Sequence, residues 1–520
     1  MNFLKGDTSA KQKARVDEII RIVTEVKNHE QRNQLFRKRG QDAQIWLNSL
    51  QVAAELPEIS TELRSSIFKI MLKLSKHSDV TPECLNIKNV TREGKHPIGG
   101  GGFGDVWKGK VRQTIVCLKV VRNFQQGNES NSQDLLKQFK REAIVWKQLE
   151  SHPNILPFFG MYDWDGAPGK LCLVSPWMEG GNLAHYLNPR PPKMKPVVDH
   201  ITLVTLAYDV ASGLEYLHDR KIVHGDLKGV NILIRTLKPL RACIGDFGLS
   251  RVSDDHAISL STTSQSRVEG TLRWLAPELL LDPSCRLSKE SDIYAYGCVC
   301  YEIFAREVPF FEEPSEGAVV LAIVDGKHPS RLDRLEDDEW NLMLACWSSP
   351  PAARLTALEV LERISGLDSL QSAVRKAQTI VPAPDWDSST LTDIRKNVKY
   401  PSTSALAADL VRQHRDLISQ AEEQSKSDNR PPVTLRVHFG QNSSPLPVSP
   451  AITHEGLAME LCRHISAVWG VEYDLSNIVI KCEEELYPGR FETLETDRDV
   501  RIALRQLKDG VVPIFVSCID

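Results

Sequence analysis

Apolar positions change their period along the chain. Over residues 1–85 they recur at helical spacing. Val16, Ile19, Ile20, Val23 and Val26 form one run. Ile45, Leu47, Leu50 and Ala54 form a second, which Pro57 stops, and Leu63, Ile67, Ile70, Met71 and Leu74 follow the opening Ser60-Thr-Glu-Leu. The spacing predicts an all-helical region whose amphipathic helices need a surface to cover them. A bundle packed on the next domain would supply one, and so would an independent interaction module. From residue 90 the texture turns strand-like, in Ile115-Val-Cys-Leu-Lys-Val-Val121 and Leu171-Cys-Leu-Val174, and then helical from Thr202 to Leu217. That order predicts a small β-rich lobe followed by a larger α-rich lobe, ending near 368. Residues 369–431 read as linker around Pro382-Ala-Pro384 and Ser425-Lys-Ser-Asp-Asn-Arg-Pro-Pro432, with one helical island, Ala405–Gln424. Over 432–520, Val433-Thr-Leu-Arg-Val-His-Phe439 alternates as a strand. A helix over Gly456–Trp469 follows, with Leu457, Leu461, Ile465 and Val468 on one face. Then come a strand at Ile478-Val-Ile480, a helix over Asp497–Leu507 and a last strand at Val511-Val-Pro-Ile-Phe-Val516. The order ββαβαβ predicts a β-grasp, ubiquitin-like domain, with Pro513 at an edge or irregular position.

Charge narrows the partners. A net charge of −4 over 520 residues is too small to make nucleic acid or a charged membrane surface the main partner. No apolar run approaches the ~20 residues of a membrane span, and the N-terminal stretch has no apolar signal-peptide core. The 11 cysteines include no CxxC pair and sit in apolar runs such as Cys298-Val-Cys300, which implies reduced thiols and a cytoplasmic protein.

Candidate chemistry begins at Ile98-Gly-Gly-Gly-Gly-Phe-Gly-Asp-Val-Trp-Lys-Gly109. Gly99, Gly101 and Gly104 fit G-x-G-x-x-G, a pattern shared with dinucleotide-binding folds, where it opens a helix. Here the continuation is strand-like. The glycines therefore read as a hairpin whose backbone covers phosphates, with Val106 packed on a base. Lys119 stands among apolar strand residues, where an unpaired ammonium is too costly to bury. Its anion is either a carboxylate, with Glu142 as candidate, or a ligand phosphate; a ligand-free core Lys–Glu pair is the plain alternative.

His224-Gly-Asp-Leu-Lys-Gly-Val-Asn231, Asp246-Phe-Gly248, Ala276-Pro-Glu278, Asp292 and Arg354 follow in that order. Together with the glycines, Lys119 and Glu142, this set resembles the protein-kinase signature over slightly more than half of the chain. Finer features resemble the tyrosine-kinase-like Ser/Thr group, and the catalytic loop is similar to that of the expanded set in mushroom-forming (basidiomycete) fungi. The resemblance implies an α+β, two-lobed protein kinase fold between the helical region and the β-grasp domain. It also implies ATP and Mg2+ as cofactors and a protein Ser/Thr hydroxyl as acceptor. Lys119, held by Glu142, would grip the α and β phosphates, and Asp246 and Asn231 would hold magnesium. Asp226 would receive the acceptor's proton and Lys228 would steady the γ-phosphate, while Thr271 would bond to both of these. Ile98, Val106, Cys117, Ser175 (the gatekeeper), Met178 (the hinge) and Leu233 would surround the adenine. Trp146, Phe158, Phe247 and His224 would stack as an apolar spine, and Glu278 and Arg354 would pair inside the helical lobe.

Two departures stand out. Cys117 replaces the usual alanine and puts a thiol where an electrophile could reach it. Gly225 replaces the arginine that pairs with a phosphorylated activation loop, so the acceptors Ser259, Ser261, Thr262, Thr263, Ser264 and Ser266 lack that partner. An active kinase is the first reading and a pseudokinase scaffold acting through its flanks the second. The tail resembles either a Phox-and-Bem-type dimerisation domain, through acidic Glu483-Glu-Glu485, or a Ras-association domain that takes a small GTPase through residues such as Arg436. A plain ubiquitin-like fold is the third possibility.

Overall fold

The computed structural model describes residues 20–22, 29–56, 59–101, 104–120, 129–149, 152–164, 171–188, 198–235, 240–252, 271–282, 284–366, 394, 408–416, 433–439, 442–448, 457, 461, 478–483, 491–493 and 511–518. They divide into two compact units, one drawn from Met1–Thr24 and Phe36–Val411, the other from Glu25–Leu35 and Arg412–Asp520.

Past a short helix α1 (His29–Arg37), the first unit opens with α2 (Gly40–Ala54) and α3 (Thr61–Ser78). Ser60 caps α3 by accepting from the Leu63 N–H, and Asp79 ends it in the left-handed region at φ 58°. Trp46, Leu47, Leu50, Met71 and Leu74 are fully buried. Burying each large apolar side chain is worth about 1.5–3 kcal/mol, so the pair is held by packing and not by helix propensity. Among the residues of the first predicted run only Ile20 is described; the others lie outside the described residues.

A six-stranded antiparallel sheet follows, in the order β1-β3-β4-β6-β5 with β2 paired to β3. Its strands are β1 (Val90–Glu93), β2 (Gly99–Gly101), β3 (Gly104–Val111), β4 (Thr114–Val120), β5 (Gly160–Asp163) and β6 (Leu171–Pro176), with helix α4 (Glu129–Lys147) between β4 and β5. Alternate side chains on β4 and β6 share a face. Val116, Leu118, Val120, Cys172 and Val174 therefore turn to one side, where they pack with Ile87, Phe159 and Trp164. Ile394 joins this cluster, helical and 4% exposed. That residue falls in the stretch read as linker, so at least this point of it is core: an isolated isoleucine in a polar context carries no periodicity to announce it.

The helical lobe contains α5 (Leu183–Leu187), α6 (His200–Asp219), α7 (Pro277–Leu281), α8 (Lys289–Ala305), α9 (Glu316–Val324), α10 (Asp337–Cys346) and α11 (Ala357–Ser365). Short ladders β7 (Ile222–Val223) with β10 (Arg251–Val252), and β8 (Ile232–Arg235) with β9 (Arg241–Ile244), carry the loops between α6 and α7. The buried helix α8 is the post of this lobe: every residue from Ser291 to Ala305 is buried. Arg354 makes a two-pronged pair with Glu278, 2.7 Å on each prong, and also donates to the carbonyls of Ser348 and Glu290.

The second unit contains a five-stranded sheet ordered β12-β11-β15-β13-β14, from β11 (Val433–Phe439), β12 (Asn442–Val448), β13 (Ile478–Glu483), β14 (Phe491–Thr493) and β15 (Val511–Cys518). β11 and β15 run parallel and the other pairs antiparallel. Pro513 is not at an edge: β15 is central, between β11 and β13. The β13 ladder reaches only Ile514, opposite Cys482, so it stops one residue short of the proline, which has no N–H to offer it. Leu457 and Leu461 are helical and buried. Ile465, Val468 and the predicted helix Asp497–Leu507 lie outside the described residues, and residues 408–416 are helical within the predicted island.

Because the Arg354 side chain is only 1% exposed and that of Glu278 17%, removing the arginine leaves a mostly covered carboxylate without its partner. Arg354→Leu is expected to lower unfolding stability by about 3–5 kcal/mol, read by urea denaturation.

Candidate active site

The site face of the small sheet is the one opposite its apolar core. β4 pairs on both sides, Val106 with Lys119 and Lys119 with Leu173, Lys108 with Cys117 and Cys117 with Ser175. Val106, Cys117, Lys119 and Ser175 therefore share one face. Lys119 Nζ reaches Glu142 Oε1 at 2.9 Å and Asp246 Oδ1 at 2.8 Å. In the structure the ammonium thus meets two carboxylates, one from α4 and one from the segment after β9. Burial works against the Lys119 ammonium, but Asp246 and Glu142 override it and hold its pKa above the ordinary lysine value. Burial likewise opposes ionisation of Asp246, yet Lys119 keeps that carboxyl below its usual range. Glu142 goes the other way: burial is its largest influence and pushes it up to about 7. Asp246 sits at φ 60°, a left-handed conformation that aspartate tolerates better than most residues.

The glycine stretch is a hairpin. Gly99 pairs with Val106, Gly100 with Asp105 and Gly101 with Gly104; its tip, 102–103, lies outside the described residues. Two of its glycines are required for different reasons. A Cβ on Gly99 would meet nothing within 4 Å, which leaves room for a ligand. A Cβ on Gly104 would collide with the backbone carbonyl of Val120, so that glycine also serves the β3–β4 pairing. Ile98 is exposed at the entry to the hairpin, Met178 is buried after β6, and Leu233 is half-buried on β8. Cys117 does not offer a ready thiolate. Burial pushes its thiol up to about 11 and a hydrogen bond with Ser175 only partly offsets this, which disfavours the thiolate near neutral pH.

The catalytic loop is fixed from below by two acids of α8. Asp292, 1% exposed, accepts from the backbone N–H of His224 and of Gly225, both at 2.8 Å, and pairs with His218 at 2.9 Å. Glu302 accepts from the Gly229 N–H and from Trp274 Nε1, each at 2.8 Å. A Cβ on Gly229 would strike the Glu302 carboxylate. Above these anchors, Lys228 Nζ lies 3.0 Å from Asp226 Oδ1 and donates to Thr271 Oγ1 at 2.7 Å. Asn231 donates both amide hydrogens to Asp226, at its carbonyl (2.7 Å) and at Oδ2 (2.9 Å), so its own amide oxygen is what it can offer a ligand. The Gly245 N–H donates to the Asn231 carbonyl at 2.9 Å and so joins this loop to the segment carrying Asp246. Asp226 Oδ1 is buried, with the Lys228 ammonium beside it. With one carboxylate, one amide oxygen and no sulfur, the donor set at Asp246 and Asn231 fits a hard divalent cation such as Mg2+.

Trp146 stacks on Phe158 at 5.2 Å and meets Phe247 at 5.7 Å, and Phe247 meets His224 at 5.6 Å. This column ties α4 to the catalytic loop. Gly225 has φ +80°, and a Cβ there would lie 2.7 Å from Leu287 Cδ1. The arginine position of the kinase signature is therefore closed to a side chain unless Leu287 moves. Residues 259–266, the loop acceptors, lie outside the described residues.

Comparison with known proteins matches residues 93–364 to the family of protein tyrosine and serine/threonine kinases. The chain belongs to that family. Relatives include the serine/threonine-protein kinases STY46 and STY17 of Arabidopsis thaliana. The first is 28% identical over 269 residues, 52% of this chain and 43% of that protein; the second is 25% identical over 283 residues, 54% and 45%. A serine/threonine-protein kinase/receptor of Acanthamoeba polyphaga mimivirus, R826, is 30% identical over 274 residues, 52% of this chain and 16% of that protein. The chain thus spans less than half of these relatives, and the similarity is that of their kinase domains.

Within this kinase domain, Glu302 was the residue that sequence reasoning passed over. It lies in the apolar run Tyr-Glu-Ile-Phe of α8 and only its contacts reveal it. A glutamate in so apolar a helix was the one available signal. Burial pushes its pKa up to about 7. Below that pH it gains a proton and its grip on the two N–H donors weakens. We expect kcat to fall on the acid side with a midpoint near neutrality, and Glu302→Gln to lower kcat at alkaline pH and flatten that limb. The stability effect has the opposite sign: with the folded pKa above the unfolded one, this group favours the folded state most below the unfolded value and loses that contribution as pH rises through about 7. Rate and melting temperature, measured across pH, should move in opposite directions.

Proposed function

We propose that this chain is an ATP-dependent protein serine/threonine kinase that transfers the γ-phosphoryl group of ATP to a protein hydroxyl. The observation that carries this is the contact of one half-buried ammonium, Lys119, with carboxylates from two separate elements, beside an Asp226–Lys228–Thr271 cluster. Phosphoryl transfer asks a protein mainly for positioning and charge neutralisation. Lys119 would neutralise the nucleotide's phosphates, with Glu142 keeping it in place. Asp246 and Asn231 would hold Mg2+, which supplies Lewis-acid charge stabilisation when bound. Asp226 would orient the acceptor hydroxyl and take its proton, and Lys228 would steady the γ-phosphate. The Lys228–Thr271 bond, at 2.7 Å, supports a Ser/Thr acceptor. Ile98, Gly99, Gly101, Gly104, Val106, Cys117, Ser175, Met178 and Leu233 would enclose the nucleotide. Within the tyrosine-kinase-like group, the catalytic loop favours the set found in mushroom-forming fungi.

The sheet of the second unit, with its parallel central pair β11–β15 and the helical Leu457 and Leu461, supports a β-grasp module at 432–520 that takes a protein partner, a small GTPase or a dimerisation partner. No helix among the described residues is long and apolar enough to cross a membrane. The eight cysteines whose side chains are described are free, which favours a reducing compartment such as the cytoplasm.

Two experiments test the kinase reading. Transfer of labelled γ-phosphate to a generic basic protein is expected from the full chain and should drop at least about 100-fold in Lys119→Met and Asp226→Ala, the scale of losing a positioned acid–base group. Equal signal from wild type and Asp226→Ala would point to a scaffold instead. Activity should also survive alanine at all six loop acceptors from Ser259 to Ser266, because Gly225 provides no charge for a loop phosphate. Abolished transfer would show that the phosphate has another anchor.

A further inference from the structure

Glu142 can hold Lys119 only while α4 stays in place, and the two edges of that helix have different partners. At about 100° per residue, Lys140 and Lys147 lie roughly 160° and 140° around the helix from Glu142, so they point away from the site. On that far side stand the C-terminal ends of α2 and α3. Lys140 Nζ donates to both the carbonyl and the carboxylate of Asp79, the residue that ends α3, at 2.7 Å each. Lys147 Nζ lies 3.2 Å from Glu55, the residue that ends α2. The Lys147 side chain is only 4% exposed, so that ammonium depends on the anions it is given. Gln148 donates to Gln51 at 2.9 Å, and Gln51 donates in turn to Glu55 at 2.9 Å. A carboxylate at a helix C-terminus is ordinarily unfavourable, since the helix dipole is negative there. Two such carboxylates, each answered by a lysine of the same neighbouring helix, are acids whose unfavourable placement α4 helps to offset.

We propose that α2 and α3 form a built-in brace for α4, with Glu55, Gln51 and Asp79 as positioning residues that keep Glu142 within reach of Lys119. This rests on the kinase reading above. The helical region is then part of the catalytic unit and not a detachable module.

The test uses the full chain. Reversing both acids, Glu55→Lys with Asp79→Lys, should lower kcat/KM for MgATP about tenfold, the scale of losing two ion pairs that are partly buried. Adding Glu142→Gln should cost much less in the reversed background than in wild type, because the Lys119–Glu142 contact is already loosened. Restoring the pairing through Lys140→Glu opposite Asp79→Lys should recover part of the loss. Wild-type kcat/KM in the reversed variant, or a Glu142→Gln penalty of equal size in both backgrounds, would overturn the brace. If the reversed chain does not fold, Asp79→Asn and Gln51→Ala replace it, and hydrogen exchange at the α4 amides is the readout. Faster exchange there supports the brace, and unchanged exchange overturns it. A wild-type chain without transferase activity would sink the kinase reading, leaving exchange to judge the brace alone.

Discussion

An ammonium held between two carboxylates from distant parts of the chain is the constraint on which this architecture turns. Lys119 comes from the small sheet, Glu142 from α4 and Asp246 from the segment after β9. Each is costly to bury alone, and each is tolerated because the others are there. The triad therefore does two things at once. It makes the folded arrangement of sheet, helix and lower loop self-consistent, and it concentrates opposite charges at a point where a nucleotide's phosphates and a metal would exchange partners with them. Everything that fixes α4 or the catalytic loop acts on this one contact.

Support reaches it along three routes. From below, α8 grips the catalytic loop through Asp292 and Glu302 and holds backbone N–H groups that no strand or helix would satisfy. Through the middle, the Trp146–Phe158–Phe247–His224 column couples α4 to the same loop by packing, which transmits displacement without carrying charge. From outside, the ends of α2 and α3 meet α4 with acids. Another fully buried pair, Asp209 with Arg241, joins α6 to β9 and steadies the strand that leads into Asp246.

Much of this was legible in the residues. The signature from Lys119 to Asp246 was legible through its resemblance to the kinase family, because its short motifs stand in the family's order along the chain. Ser60 and its apolar run located α3 because capping is local. What escaped was non-local. Glu302 acts through a backbone N–H 73 residues away and nothing beside it in the chain marks that partnership; Asp292 was legible as part of the signature, but its hold on the His224 and Gly225 N–H groups was not. Gly104 was read for its ligand and proved to be shaped also by a strand carbonyl. Cys117 was read as a handle for an electrophile, and burial raises the pKa of its thiol. Pro513 was given an edge or irregular position by a rule about ladders; its strand is central, and the β13 ladder stops one residue short of it.

Ile394 carries a practical consequence. The outer side of the small sheet is a sheet of valines, leucines and aromatic rings, and an isoleucine from well beyond α11 lies over part of it. A fragment trimmed where the family match ends, at residue 364, would strip that cover and present wet hydrocarbon on the lobe that carries Lys119. Such a fragment would be prone to self-association, and its poor behaviour in solution would reflect where it was cut and not any weakness of the catalytic machinery.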